Sequence, residues 1–420
     1  MYKFVIEGGK RLNGEVEVSG AKNALLGFLP ATILANGKYT FFNSPDLLDS
    51  RSMIKLLVNM GMDIEFVDNS IRVKNDGLKI LEAPYEFVKK MRASIYVLGP
   101  LLARYGFAKV SMPGGCAWGP RPINLHIEAI QKLGASVDIE QGYIVAKADK
   151  LKGTKIVFNI PSVGATVNTM FAATLAEGTT LISNAAMEPE VVAIGEFLKK
   201  MGAKIDGLGT KFIEIEGVSH LNSANDTIIP DRIEAGTLLI AGAITLGDIK
   251  VTNCIPNHLD AVLVKLSDAG FEIITQGNSI ELKSNTEIKP VNIETEVFPG
   301  FPTDLQAQWI SLMSIAKGSS EITDNIYHDR FNHVPELNRL GANITVKGNT
   351  AFVKGVDKLK GAKVMSTDLR ASASLVLAGL VAEGTTEVLR IYHLDRGYEK
   401  IEMKLKKLGA LIERVQTDEY

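Results

Sequence analysis

The feature that most limits what this chain can fold into is a repeat of about 70 residues. One turn signal recurs six times: LANGKYT at Gly37, LARYGFAKV at Gly106, LAEGTTL at Gly178, ITLGDIKV at Gly247, IAKGSSEI at Gly318 and VAEGTTEV at Gly384. The intervals between these glycines are 69, 72, 69, 71 and 66 residues. Each signal closes an apolar run and opens a β-rich stretch. A second glycine falls inside each interval and closes an amphipathic stretch, at Gly61, Gly134, Gly202, Gly270, Gly341 and Gly409. These second glycines read as helix C-caps. The unit is therefore an apolar helix, Gly, a strand, an amphipathic helix, Gly, and one or two strands, in six copies of which the last is short.

The first helix of each copy, as in NALLGFLPATILA or SASLVLAGLVA, is apolar on nearly all sides. Such a helix is buried, whereas the charged face of IEAIQKLG or IEMKLKKLG belongs in water. Buried helices surrounded by sheets are the reverse of a TIM barrel. A chain of 420 residues exceeds a single ordinary core. Six copies divide best as three and three, in two similar α/β domains.

Counting back 14 or 15 residues from each turn glycine reaches the start of each buried helix: Lys22, Arg92, Gly164, Arg232, Asp304 and Arg370. A polar, charged or glycine residue holds this position in every copy. Helix N-termini present unpaired N–H groups and the positive end of the dipole. Parallel helices would aim several of them at one surface, and Lys22, Arg92 and Arg370 would make that surface an anion site. The expected ligand is polyanionic, phosphorylated, and enclosed by the two domains.

Other ligand classes find little support. The formal net charge is −2, with no basic tract for nucleic acid. The N-terminal stretch MYKFVIEGGKRLNGEV lacks the apolar run of a signal peptide, and no apolar run is long enough for a bilayer. Two cysteines, Cys116 and Cys254, make no disulfide framework, so a reducing cytoplasm is expected. The histidines show no zinc spacing, and there is no Walker loop or dinucleotide fingerprint.

The loop SMPGGCAWGPRPINLH, residues 111–126, has its backbone set by Gly and Pro. It carries Cys116, with Arg121 close enough in sequence to favour a thiolate. On residue types alone this thiol is either an unreactive loop cysteine or a nucleophile. Lys22, beside Asn23 in SGAKNA, is either a solvated side chain next to an N-cap or an anion ligand. Arg92 is either paired with an acid or a ligand, and Arg121, with no neighbouring acid, is the better anion candidate. His126 and Cys254 read as structural. Ser162 in IPSVGAT reads as an N-cap that leaves the N–H groups of Val163 and Gly164 for a ligand. Asp231 and Arg232 in PDRIEAG read as a structural pair near a domain crossing. Thr303 and Gln306 have capping-box spacing, so Asp304 between them is either a first-turn carboxylate or a general base. Arg330, Asp368, Arg370 and Arg396 follow on apolar or Gly-rich segments.

Taken together, SGAKNA, the GGCAxGxRP loop, PSVGAT, PDRIEAG, FPTDLQAQ, RFNHVPEL, TDLRASASLVLAGL and YHLDRGYEKIE resemble, in order and along nearly the whole chain, the UDP-N-acetylglucosamine 1-carboxyvinyltransferase family. The resemblance implies two inverse α/β-barrel (enolpyruvyl transferase) domains, each of three repeats around buried helices. They would be residues 22–229, carrying the Cys loop, and residues 1–21 with 230–420, with the active site in the cleft between them.

The implied reaction moves the enolpyruvyl group of phosphoenolpyruvate to the 3-hydroxyl of UDP-N-acetylglucosamine and releases phosphate, the first committed step of peptidoglycan precursor synthesis. By resemblance Cys116 is the proton donor, able to form a covalent phosphoenolpyruvate adduct and open to alkylation by fosfomycin, and Asp304 is the base. Lys22, Asn23, Arg121, Arg370 and Arg396 match phosphoenolpyruvate ligands, Lys22 and Arg396 also acting in catalysis. Arg92, Arg121, Pro122, Ile123, Asn124, Leu125, Ser162, Val163, Asp304 and Ile326 match the sugar-nucleotide site. No metal or organic cofactor is implied. Trp118 in the loop and Ile160, where some members have Lys, depart from relatives and bear on loop closure and on one nucleotide contact. Two alternatives are a 5-enolpyruvylshikimate-3-phosphate synthase, opposed by Cys116 and by Lys22-Asn23 in place of a Lys-Ser entry motif, and a noncatalytic nucleotide-binding paralogue.

Overall fold

A computed structural model describes residues 1–89, 91–112 and 123–419. The described chain packs as two compact units, one of residues 20–229 and one of residues 1–19 with 230–419. Each has its own apolar core. The chain thus changes units at Ser19/Gly20 and again at Ile229/Pro230.

Each unit is built on three inner helices, numbered here in chain order. The 20–229 unit holds α1 (Lys22–Ala31), α2 (Leu98–Tyr105, entered through a 3-10 turn Arg92–Val97) and α3 (Val163–Thr174). The other holds α4 (Arg232–Ile244), α5 (Gln306–Met313, entered through a 3-10 turn Thr303–Leu305) and α6 (Leu369–Gly379). Their all-round apolar sequences are matched by all-round burial; in α4 every residue from Ile233 to Ile244 is buried. Threonines inside these helices bond back to the chain, Thr169 Oγ1 donating to the Ala165 carbonyl and Thr237 Oγ1 to that of Ile233, whereas the side-chain amide of buried Gln306 has no hydrogen-bond partner among the described residues.

The strands form six four-stranded sheets, three in each unit, and none closes into a continuous barrel among the described residues. One pattern repeats. In the sheet of Glu82–Ala83, Phe107–Ser111, Tyr143–Lys147 and Ser136–Glu140, the short edge strand is parallel to its neighbour and the other pairings are antiparallel. The sixth copy explains its own shortness. Its hairpin has lost one strand, and Tyr2–Glu7 from the N-terminus takes that place, antiparallel to both Thr385–Leu389 and Leu411–Gln416. Asn13–Glu17 likewise supplies the parallel edge strand beside Asp248–Thr252. In the 20–229 unit, Asp226–Thr227 returns to pair with Gly37–Phe42.

The two glycine series differ in physical cause. All six amphipathic-helix glycines have positive φ, from 90° at Gly341 to 115° at Gly61, as αL caps require. Five of the six turn glycines also have positive φ; Gly247 does not. There a Cβ would lie 1.9 Å from the Leu12 carbonyl oxygen, so close backbone approach demands the glycine.

Candidate functional site

In the 230–419 unit two of the three inner-helix starts are capped by side chains. Asp231 accepts the N–H groups of Ile233 and Glu234, and Asp368 those of Arg370 and Ala371. Asp231 is therefore a helix cap, and Arg232 lies over the Phe298 ring, 5.6 Å from its centroid. The third start is different. Thr303 and Gln306 form no capping box: Thr303 opens a 3-10 turn without a side-chain cap. Its hydroxyl donates to Asp324 Oδ2 at 2.7 Å and accepts from Arg330 Nη1 at 3.0 Å.

Freed from capping, Asp304 lies between two arginines. Its Oδ1 is 2.8 Å from Arg330 Nη1 and its Oδ2 is 2.7 Å from Arg370 Nη2. Both guanidinium side chains are buried, at 7 % and 5 % exposure, while the carboxylate keeps 28 %. The carboxylate thus faces outward from a buried cationic seat. Burial opposes the Arg370 charge, but the field of Asp304, followed by those of Tyr398 and Asp231, holds its pKa above the ordinary value. Asp324 is the hub behind Thr303: its Oδ1 accepts from Thr295 Oγ1 and from the N–H groups of Ile326 and Tyr327. This fixes the segment that carries Ile326. Arg396 closes the 3-10 turn Ile391–Arg396, which packs against α6. Burial, then the Arg396 charge, lowers the pKa of His393 on that turn.

In the 20–229 unit, Lys22 is the first residue of α1, and Ala21 before it makes no side-chain cap. Lys22 is not a solvated lysine: its Nζ is 3.3 Å from Asp49 Oδ2, with exposures of 12 % and 5 %. Asn23 beside it is half-buried. Arg92 opens the turn into α2, and its charge reaches His126. Burial first, then Arg92, pushes the His126 pKa down to about 4, so the ring is neutral. Asn168 Nδ2 serves both the Ile95 carbonyl and His126 Nδ1, each at 2.9 Å, and Asn168 Oδ1 accepts from Gly99 N–H at 2.8 Å. With both amide protons spoken for, Nδ1 is an acceptor and the imidazole proton sits on Nε2, beside Gly164.

Ser162 caps α3 as the sequence indicates, its hydroxyl accepting from Ala165 N–H at 3.3 Å, and Val163 is the first helical residue. Ile123 and Asn124 start the helix Asn124–Lys132, with Leu125 and His126 on its buried face. Ile160 is exposed. Cys254 is buried, with burial pushing its thiol up to about 11, as suits an inert residue. Cys116, Trp118, Arg121 and Pro122 lie outside the described residues.

The sequence offers Asp304, Arg330 and Arg370 only separately, since no local signal joins them. Nor does it mark Asp49 as the partner of Lys22, Asp324 as the acceptor behind Thr303, or Asn168 as the partner of His126. Among the described residues no cluster of three His, Cys, Asp or Glu is placed to hold a metal ion, and no helix is long and apolar enough to cross a membrane.

The family model described as EPSP synthase (3-phosphoshikimate 1-carboxyvinyltransferase) matches residues 6–405. Among curated proteins, the UDP-N-acetylglucosamine 1-carboxyvinyltransferase of Chloroherpeton thalassium is 57 % identical, over 100 % of this chain and 99 % of its own. That of Chlorobium luteolum is 55 % identical over the full length of both, and that of Geotalea daltonii 54 % over 99 % of this chain. Among solved structures, the enolpyruvyl transferase NikO from Streptomyces tendae superposes with a TM-score of 0.88 at 25 % identity, covering 99 % of each chain. An EPSP synthase from Acinetobacter baumannii has a TM-score of 0.77 at 18 % identity, covering 99 % of this chain and 100 % of its own, a likeness of fold. With 54–57 % identity maintained end to end, the chain belongs to the enolpyruvyl transferase family, within its UDP-N-acetylglucosamine 1-carboxyvinyltransferase branch.

Proposed function

We propose that the protein transfers the enolpyruvyl group of phosphoenolpyruvate to the 3-hydroxyl of UDP-N-acetylglucosamine and releases inorganic phosphate. The observation that carries this reading is identity above half over the entire length to relatives bearing that name. The outward-facing Asp304 carboxylate on its arginine seat supports it chemically.

The chemistry divides into addition and elimination. In addition, the sugar hydroxyl oxygen bonds to C2 of phosphoenolpyruvate and its proton passes to Asp304. A proton from Cys116 goes to the C3 methylene, which becomes a methyl group. In elimination, a proton leaves that methyl group for the Cys116 thiolate, the double bond re-forms, and the C2–O bond to phosphate breaks, the phosphate leaving with the electron pair. Asp304 suits its part because Arg330 and Arg370 favour the ionised carboxylate. Lys22, Asn23, Arg121, Arg370 and Arg396 are assigned to phosphoenolpyruvate, whose phosphate and carboxylate call for several cations. Arg92, Arg121, Pro122, Ile123, Asn124, Leu125, Ser162, Val163, Asp304 and Ile326 are assigned to the sugar nucleotide. The reading places the enzyme with its substrates in the cytoplasm, at the entry to peptidoglycan precursor synthesis.

Phosphate release from phosphoenolpyruvate on addition of UDP-N-acetylglucosamine tests the reading. Release dependent on both substrates is expected, and its absence overturns the assignment.

A further inference from the structure

We infer that Thr303 is a positioning residue for the reaction proposed above, its hydroxyl, held by the buried Asp324 carboxylate, fixing where the Arg330 guanidinium meets Asp304. The inference rests on the assignment of Asp304 as the base. Thr303 stands directly before that residue, at a helix start whose spacing suggests a cap, yet its side chain caps nothing. The hydroxyl is committed elsewhere.

Counting protons gives each bond its direction. A guanidinium only donates, so at the 3.0 Å contact Arg330 Nη1 gives the proton and Thr303 Oγ1 accepts it. The single hydroxyl proton of Thr303 is left for Asp324 Oδ2 at 2.7 Å. Asp324 is itself held from several directions. It is 0 % exposed, and its Oδ1 receives Thr295 Oγ1 at 2.8 Å, the Ile326 N–H at 2.9 Å and the Tyr327 N–H at 2.8 Å. Thr295 lies opposite Asp324 in the parallel pair of strands Ile293–Thr295 and Ser319–Asp324, and its oxygen accepts the Asn325 N–H at 3.1 Å.

The same carboxylate anchors a second contact to Arg330. The ring of Tyr327, whose N–H it holds, has its centroid 5.5 Å from the guanidinium carbon. Arg330 is therefore placed by a hydroxyl and by a ring that both depend on Asp324, and its Nη1 lies 2.8 Å from Asp304 Oδ1. Arg370 Nη2 holds the other oxygen of Asp304 at 2.7 Å. Loosening Arg330 would tilt the Asp304 carboxylate about its remaining partner rather than release it.

Thr303→Val keeps the branched shape but leaves Arg330 Nη1 without this acceptor and Asp324 Oδ2 without this donor. Turnover should fall roughly 10- to 100-fold, the scale on which a small misplacement of a reacting group acts. KM for phosphoenolpyruvate should stay near the wild-type value, because a group displaced from proton transfer shows in kcat. Thr303→Ser keeps the hydroxyl, drops the methyl group, and should restore kcat. A merely structural threonine gives another pattern. Thr303→Val then lowers the melting temperature and leaves kcat where it was, or Thr303→Ser is as deeply impaired as Thr303→Val because methyl packing is what counts. Either result overturns the inference. Should Thr303→Val fail to fold, Thr303→Ala, which differs from Thr303→Ser by the hydroxyl alone, takes its place with the same readouts. The wild-type enzyme assayed alongside keeps the two readings apart: an inactive wild type counts against the proposed reaction and the inference with it, whereas an active wild type matched by Thr303→Val counts against Thr303.

Discussion

Replacing Asp304 by Asn preserves the size of the side chain and removes its charge. Two effects follow at this one residue. On the proposed mechanism the group that takes the substrate proton is gone, which should cost roughly 10²- to 10⁴-fold in turnover. Arg330 and Arg370, nearly buried, are left facing a neutral amide, so folding stability should fall by about 3 kcal/mol, as when one partner is taken from a buried ion pair. Steady-state kinetics and a denaturant titration on Asp304→Asn check the two together; undiminished turnover would remove Asp304 from the mechanism. The segment FPTDLQ showed a carboxylate at a helix start but could not separate capping from catalysis. The deciding partner Arg370 is 66 residues away, and neither segment's local pattern points at the other. The same holds for Lys22, whose partner Asp49 sits on the next helix with no motif to announce it.

At the scale of elements, glycine spacing made the repeat legible because each glycine answers to a backbone need. The two kinds of need predict different costs. At Gly134 φ is 99° and a Cβ would meet nothing within 4 Å, so Gly134→Ala should cost only the left-handed conformation, about 1–2 kcal/mol. At Gly247 a Cβ would be 1.9 Å from Leu12 O, and the backbone of Asn13–Glu17 and its neighbour must part. Gly247→Ala should therefore destabilise more than Gly134→Ala by several kcal/mol, on the order of the largest single-site effects. Urea denaturation midpoints of the two variants rank the costs, and equal midpoints would contradict the explanation. Elements without such punctuation stayed hidden. The edge strands Glu82–Ala83 and Asp226–Thr227 are two residues each, too short to show alternation. The strand that completes the sixth sheet comes from the opposite end of the chain, a pairing no local pattern reveals.

For the molecule as a whole, two buried neutral histidines tie stability to pH, one in each unit. Burial, aided by Arg92, lowers His126 to about 4, and burial, aided by Arg330, lowers His333 to about 3. The unfolded chain binds protons on both near pH 6.5 while the folded chain does not. Their contribution is therefore complete above about pH 6.5 and is lost as pH falls toward 4 for His126 and 3 for His333. For His126 the loss is on the order of 3 kcal/mol. Denaturation midpoints should drop from pH 7 to pH 4.5, and His126→Asn should flatten part of the slope; a wild-type midpoint constant over that range would contradict the buried-neutral assignment. Histidine burial could be read only in part from sequence: His126 falls at the start of an amphipathic helix, but Asn168, which fixes its tautomer, comes from the next repeat.

The central claim concerns the acceptor, because the same fold carries relatives that bear a different name. The most direct test offers the purified protein phosphoenolpyruvate with either UDP-N-acetylglucosamine or shikimate 3-phosphate and follows inorganic phosphate. Release with the sugar nucleotide and none with shikimate 3-phosphate is the predicted result; release with shikimate 3-phosphate alone, or with neither, would contradict it.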